Sequence, residues 1–188
     1  MELEFKPVVA GDIDRLRPFY GMRPNKTCDS VFLDSFLWKD YYHVQCAVSE
    51  GRAVLWLMEK DGQVSTAMPL CREEDLPYFF QQMVDYFSGV LHKPFYISLA
   101  DEEAVQCLNL DPALFEVEEQ VDLKDYLYSG EELRKLEGKK FVKKRNHLNG
   151  FKRTYEGRYE YRRLCCSDRH EVWQFMERWK QPSSSLRT

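Results

Sequence analysis

Apolar positions along the chain change period several times, and each change marks a boundary between elements. Residues 3–7 read as a short strand; Gly11 and Asp12 then form a turn and helix cap before Ile13, Leu16, Phe19 and Tyr20 recur at helical spacing. Asp29 and Ser30 can cap a second helix, in which Val31, Leu33, Phe36, Leu37, Trp38 and Tyr41 supply a wide, aromatic-rich apolar face. Three strand-like runs follow at 43–49, 53–59 and 64–70. Their separators, Glu50-Gly51-Arg52 and Lys60-Asp61-Gly62-Gln63, place Gly where tight hairpins need positive φ, so the runs predict an antiparallel meander.

Between 73 and 91, Leu76, Phe79, Phe80, Met83, Val84, Phe87 and Leu91 keep a 3.6-residue period, which predicts a long helix with Pro77 tolerated in its first turn. Pro94 interrupts it, and 95–99 reads as a buried strand. Asp101 caps a short helix through Ala104, Val105 and Leu108; 115–123 alternates loosely as a further strand; Ser129 opens a helix that ends at Gly138. The predicted order, β-α-α-β-β-β-α-β-α-β-α, is that of an α/β fold with a mixed, largely antiparallel sheet flanked by helices. Residues 160–164 then read as a strand, and Ser167 caps a helix with Val172, Phe175, Met176 and Trp179 at i, i+3, i+4 and i+7. Laid over each other, EFKPVVAGDIDRLRPFY and EYRRLCCSDRHEVWQFM share strand, turn and helix at the same offsets with few identities. A second copy of the opening therefore begins near Tyr159, although strand-then-helix is common enough that pattern alone leaves duplication and chance level. The closing QPSSSLRT is a polar tail.

Composition narrows the class. In 188 residues, 44% hydrophobic and 14% aromatic, there is material for a packed core and no disorder signature. No apolar run approaches the roughly 18 residues of a membrane span. The N-terminus MELEFKPVVAGD is acidic where a signal peptide would be basic, so the expected location is cytoplasmic. Six cysteines form no CxxC pair and no zinc-spaced cluster with His, so no metal is expected; adjacent Cys165 and Cys166 read as buried thiols at a strand end. Neither GxxxxGKS/T nor GxGxxG is present, which excludes P-loop and dinucleotide folds. His43, His92, His147 and His170 lie in separate segments without GxSxG or HExxH. Glu116, Glu118, Glu119 and Asp122 read as the wet face of a strand, and Phe32, Phe36, Trp38, Tyr41 and Tyr42 as core. No catalytic pair emerges, and no cofactor is called for.

Charge changes the picture more. The net −4 conceals a segment, 139–163, with ten Lys/Arg against two Glu, which leaves −12 for the rest of the chain. On a helix, Phe141, Leu148, Phe151 and Tyr155 make one apolar stripe, with the cations spread over the remaining surface. Two readings stay open: the acidic remainder neutralises this segment internally, or the segment recognises phosphates. In the second, Lys143, Lys144, Arg145, Lys152 and Arg153 form the phosphate- or donor-binding surface, and Asn146 and Asn149 are orienting donors.

The stretch DYLYSGEELRKLEGKKFVKKRNHLNGFKRTYEGRYEYRRL, with SVFLDSFLWKDYYHVQ near the start, resembles the phosphatidylglycerol lysyltransferase C-terminal domain family, including its stand-alone soluble members of unknown function. The core from Glu137-Gly138-Lys139-Lys140 to Asn149-Gly150-Phe151-Lys152 is its specific part. The resemblance implies two GNAT-like lobes in tandem, as in the Fem aminoacyltransferases, and transfer of an aminoacyl group from aminoacyl-tRNA to an amine or hydroxyl acceptor; acyl-coenzyme A is the other donor a GNAT lobe could take. It favours duplication, and assigns 1–125 to a first lobe, 126–157 to a helical connector with the basic helix, and 158–188 to the start of an incomplete second lobe and the tail. A chain so truncated is expected to be inactive alone and to cover Val172, Phe175, Met176 and Trp179 against its first lobe or by self-association. The rival expectation is a non-catalytic module that docks its basic helix on anionic RNA or lipid.

Overall fold

The computed structural model describes residues 3–23, 31–124 and 126–179. They divide into two compact units, Met1–Leu127 and Tyr128–Thr188. In the first, β1 (Lys6–Pro7), β2 (Gln45–Ser49), β3 (Ala53–Lys60) and β4 (Gln63–Ser65) form a four-stranded sheet in that order, antiparallel throughout. The Asp61-Gly62 turn has φ of 52° and 81°, the pair of positive values that a two-residue hairpin twisting with its strands requires. Ser49 pairs with Ala53 across a three-residue loop, closed by Arg52 N–H to Ser49 O at 2.9 Å.

β3 is apolar on both faces because both are covered. Ala53 and Leu55 face a cluster with Leu76, Phe79, Phe80 and Met83 of α3 (Leu76–Tyr86), Phe87 of the π-helical turn that extends it, and Ala104 of α4 (Glu102–Leu108). Val54 and Trp56 face the opposite cluster, with Val8, Leu16 and Phe19 of α1 (Ile13–Tyr20) and Phe32 of α2 (Phe32–Leu37). The unit is thus mixed α/β, an antiparallel sheet between helices, as the apolar periods predict. The long helix runs as predicted, and Asp101 caps α4 by accepting the Ala104 N–H at 2.9 Å. The expected caps Asp29 and Ser30, with Cys28, lie outside the described residues.

One predicted strand is cut short and two are not strands. The run 64–70 pairs only to Ser65 and returns as an isolated bridge from Leu70 to Val54. Residues 95–99 reach the sheet through one parallel bridge, with Thr66 N–H donating to Tyr96 O at 2.9 Å and Ser98 N–H to Thr66 O at 3.3 Å. Residues 115–123 form no strand: Val117, Val121 and Leu123 are exposed, and 121–123 closes into a 3₁₀ turn. Loose alternation without a neighbouring edge to pair with does not hold a strand.

The second unit is helical: α5 (Gly130–Lys135), α6 (Val142–Thr154) and α7 (Arg169–Trp179). α5 begins where predicted, Ser129 Oγ accepting the Glu132 N–H at 3.3 Å, but ends at Lys135 because Leu136 turns left-handed at φ 52°. Residues 160–164 are extended and pair with no strand. Ser167 does not cap α7: it lies inside a 3₁₀ turn (Cys166–Asp168) that leads into the helix and begins at Cys165, whose N–H donates to Asp168 Oδ2 at 2.8 Å. Cys165 and Cys166 are exposed free thiols, contrary to the buried pair expected, because the segment that carries them is uncovered.

Candidate phosphate-binding surface on the basic helix

α5 is tuned to its dipole, with Glu131 and Glu132 in the first turn and Arg134 and Lys135 in the last. Two ion pairs, Lys135 to Glu131 at 2.8 Å and Lys140 to Glu132 at 2.7 Å, consume its carboxylates. Leu136 and Gly138, the latter at φ 82°, then reverse the chain into α6. Arg145 secures that turn by donating through Nη1 to Leu136 O and, at 2.9 Å, to Gly138 O. Its guanidinium is therefore partly engaged by the protein itself.

α6 contains no acidic residue. The 100° step of the helix sorts the predicted site residues. Arg145, Asn149, Lys152 and Arg153 follow one another at i, i+4, i+7 and i+8, and Asn146 sits three before Asn149, so these five share one face. Lys143 heads a different row with His147, and Lys144 lies above Leu148 and Phe151. Five of the seven are brought together and two are not. Within the unit's described residues, none of Lys143, Lys144, Lys152 and Arg153 meets a carboxylate within ion-pair distance. Lys152 and Arg153 gain instead from the negative end of the helix dipole beside them. The predicted apolar stripe is buried only at Phe141; Leu148, Phe151 and Tyr155 are exposed.

At the C-terminal end of α6, Gly157 takes φ 68°, and Arg158 N–H closes a turn on Tyr155 O at 2.8 Å. That reversal lays Tyr159 edge-on against Phe151 with ring centroids 5.0 Å apart, while Phe151 and Tyr155, one helical turn apart, lie at 4.9 Å. A shallow, open depression of about 480 Å³ lies there, lined by Lys152, Arg153, Glu156, Gly157 and Tyr159. Tyr159 and Arg158 are not among the predicted site residues, although aromatics at 151, 155 and 159 stand interleaved with cations in the sequence.

The first unit holds other polar clusters. Arg23 and Asp101, both buried, form a two-pronged ion pair at 2.8 and 3.0 Å that ties the chain after α1 to the start of α4. Arg23 Nε is buried without a partner. Burial raises the Cys71 thiol to about 11 and also raises Cys46, so neither is a thiolate at neutral pH. Of the aromatics expected in the core, Phe32 is buried, whereas Trp38, Tyr41 and Tyr42 are exposed and Lys60 Nζ stands 4.2 Å from the Tyr41 ring centroid. Among the described residues no helix is long and apolar enough to cross a membrane.

Residues 22–185 match the family model described as phosphatidylglycerol lysyltransferase, C-terminal. No curated protein matches the chain. Among solved structures, a conserved protein of unknown function from Bacteroides thetaiotaomicron is similar in fold, with TM-score 0.78 and 24% identity over 95% of this chain and 59% of that one. The chain thus spans about 59% of the length of the structure it matches.

Proposed function

The chain belongs to the phosphatidylglycerol lysyltransferase C-terminal family, and from that premise we propose that it serves aminoacyl transfer, its basic helix holding the phosphates of an aminoacyl-tRNA. The observation that carries this is the face of Asn146, Asn149, Lys152 and Arg153, cations without carboxylate partners among the described residues of their unit, flanked by amides that direct hydrogen bonds. Lys143 and Lys144 extend the same charge to the other side of the helix, where a backbone passing over α6 would meet them. In the transfer itself the acceptor's nitrogen or oxygen bonds to the ester carbonyl, the bond to the ribose oxygen breaks, and the acceptor's proton leaves with that oxygen. Positioning and oxyanion stabilisation by fixed dipoles suffice for such chemistry, so no nucleophilic side chain is required.

A second reading is favoured by the shape of the depression: it is open to solvent, as suits a module that binds anionic RNA or lipid without chemistry. The test is tRNA binding as a function of salt, together with transfer of a radiolabelled amino acid from charged tRNA. Lys152→Gln with Arg153→Gln is expected to weaken binding and to flatten log K against log[salt] by about 0.7–0.9 per lost phosphate contact. Stability should stay within about 1 kcal/mol, since the replaced groups are exposed. Binding without transfer from any charged tRNA, or from acyl-coenzyme A, would leave the second reading in place of the first.

A further inference from the structure

The aromatic cluster beside the cations carries an inference about what part of a polyanion this face accepts. Phe151, Tyr155 and Tyr159 are each close to half exposed, at 46, 45 and 46%. Three rings held against one another in water cost rotamer freedom and leave apolar surface wet, which a flat ligand would cover. Arg158 already stacks on Tyr155, its guanidinium carbon 5.4 Å from the ring centroid, and donates to Thr154 O. The ring that faces the depression is Tyr159, and it does so next to Lys152 and Arg153, with the Glu156 carboxylate as a neighbouring acceptor.

We propose that this depression takes an unpaired nucleotide, its base stacked on Tyr159 and its flanking phosphates on Lys152 and Arg153. The proposal rests on the phosphate-binding reading above and adds to it that the nucleic acid is single-stranded at this point. A paired base cannot offer its face to a ring, whereas every unpaired base can, and a groove of cations with an aromatic platform is the recurring solution for single strands. Glu156 adds an acceptor for an exocyclic amino group, which favours bases that carry one. The charge pattern selects a polyanion as the occupant, and the exposed ring selects an unpaired one. The lining combines one ring with two cations and a carboxylate, the set a nucleotide's base and phosphates would meet, and the vesicle arm of the experiment tests the lipid alternative.

The experiment uses the full chain and three probes: a 12-nucleotide single-stranded RNA, the blunt duplex of the same sequence, and vesicles rich in phosphatidylglycerol. Binding is measured across a salt series for wild type, Tyr159→Leu, Tyr159→Phe and Lys152→Gln. The single strand should bind at least tenfold more tightly than the duplex. Tyr159→Leu should lose roughly 5- to 150-fold in affinity for the single strand with its salt slope unchanged, and Tyr159→Phe should bind like wild type. Lys152→Gln should flatten the slope in both RNAs. Should the leucine variant not fold, upfield ring-current shifts of the Tyr159 resonances in wild type on adding the single strand serve instead, and their absence overturns the proposal. Equal affinity for single strand and duplex, with full salt slopes and no effect of Tyr159→Leu, overturns the platform while leaving phosphate binding intact. Salt-dependent binding to the vesicles and to neither RNA overturns both.

Discussion

In the first unit Asp12 reaches back to the Val9 N–H at 2.9 Å and holds Arg15 at 2.7 Å; in the second, Asp168 reaches back to the Cys165 N–H at 2.8 Å and holds Arg162 at 2.6 and 2.7 Å. The residues that precede the two turns share a conformation, with φ/ψ of −125°/159° at Val9 and −129°/174° at Cys165. Both turns run through one 3₁₀ turn into an amphipathic helix, and the two segments, copies in the sense that their patterns match, align without a gap from 4 to 20 and from 160 to 176. What surrounds them differs completely. Val8 is 1% exposed where Leu164 is 65%, and Phe19 is 8% exposed where Phe175 is 54%. β2 and β3 cover the first copy, and among the described residues no strand pairs with the second. The comparison separates two levels of structure. A carboxylate that captures an amide three residues earlier closes its turn by local hydrogen bonding alone. Burial needs a covering sheet, which the motif does not contain.

The widest gap between the copies should appear on truncating their matched aromatics. Phe19→Ala removes a ring from the cluster around Trp56 and is expected to cost about 3–5 kcal/mol, read as a fall in the urea midpoint. Phe175→Ala gives up mainly its stacking on Trp179, at 6.0 Å, and should cost under about 1 kcal/mol. Equal losses at the two sites would mean that α7 is covered in solution, and the contrast between the copies would disappear.

The same division explains what could be read in advance. Helix periods at 76–91, the turn at Asp61-Gly62 and the cap at Asp101 are local facts written in a few adjacent residues, and each is met. The strand-like run at β3 is met too: its first six residues are apolar, and both of its faces are covered. Strand pairing is not local: 115–123 and 160–164 have strand-like composition, but no neighbour supplies the ladder, so they remain extended or turn. At the basic helix, residue types were legible and their grouping was not. Arg145 is partly spent on Leu136 and Gly138 because two left-handed residues expose carbonyls toward it. The aromatics at 151, 155 and 159 were legible as a spacing, but α6 ends at Thr154, so Tyr159 meets Phe151 through the reversal at Gly157 and not along the helix.

A second contrast lies in how each unit uses an Arg–Asp pair. Arg23 and Asp101 are both buried, and removing the cation strands a carboxylate away from water. Arg23→Met should therefore cost about 3 kcal/mol and loosen the start of α4, visible as faster amide exchange at Ala104. Arg162 is half exposed and shields a buried Asp168, which keeps the Cys165 N–H when the guanidinium is gone; Arg162→Met uncovers that carboxylate to water and should cost a small fraction of that. A stronger effect in the second unit would show that its pair organises more than the turn it closes.

The smallest difference concerns the two capping carboxylates and is best read by acid titration. Burial pushes the Asp12 carboxyl up, but the Val9 amide and the Arg15 guanidinium outweigh it, leaving it below the ordinary value. At Asp168 the Arg162 guanidinium, the Cys165 amide and the Cys165 thiol all act downward, and the carboxyl lies far below the usual carboxylate range. Both groups thus hold their proton more weakly folded than unfolded. Each contributes stability that is complete above the unfolded value of about 4 and fades as pH falls through the folded one. For Asp12 that window of fading lies below the ordinary value; for Asp168 it continues to more acidic pH. Asp12→Ala should cost about 1 kcal/mol at neutral pH, and the difference between variant and wild type should shrink once pH falls below the window. Carboxyl carbon NMR of the two side chains measures the order directly: Asp168 should remain ionised after Asp12 has taken its proton. If Asp12 holds out longer, the exposed copy is the less well formed of the two caps, and the hydrogen bonds that make the copies look alike do not persist equally in solution.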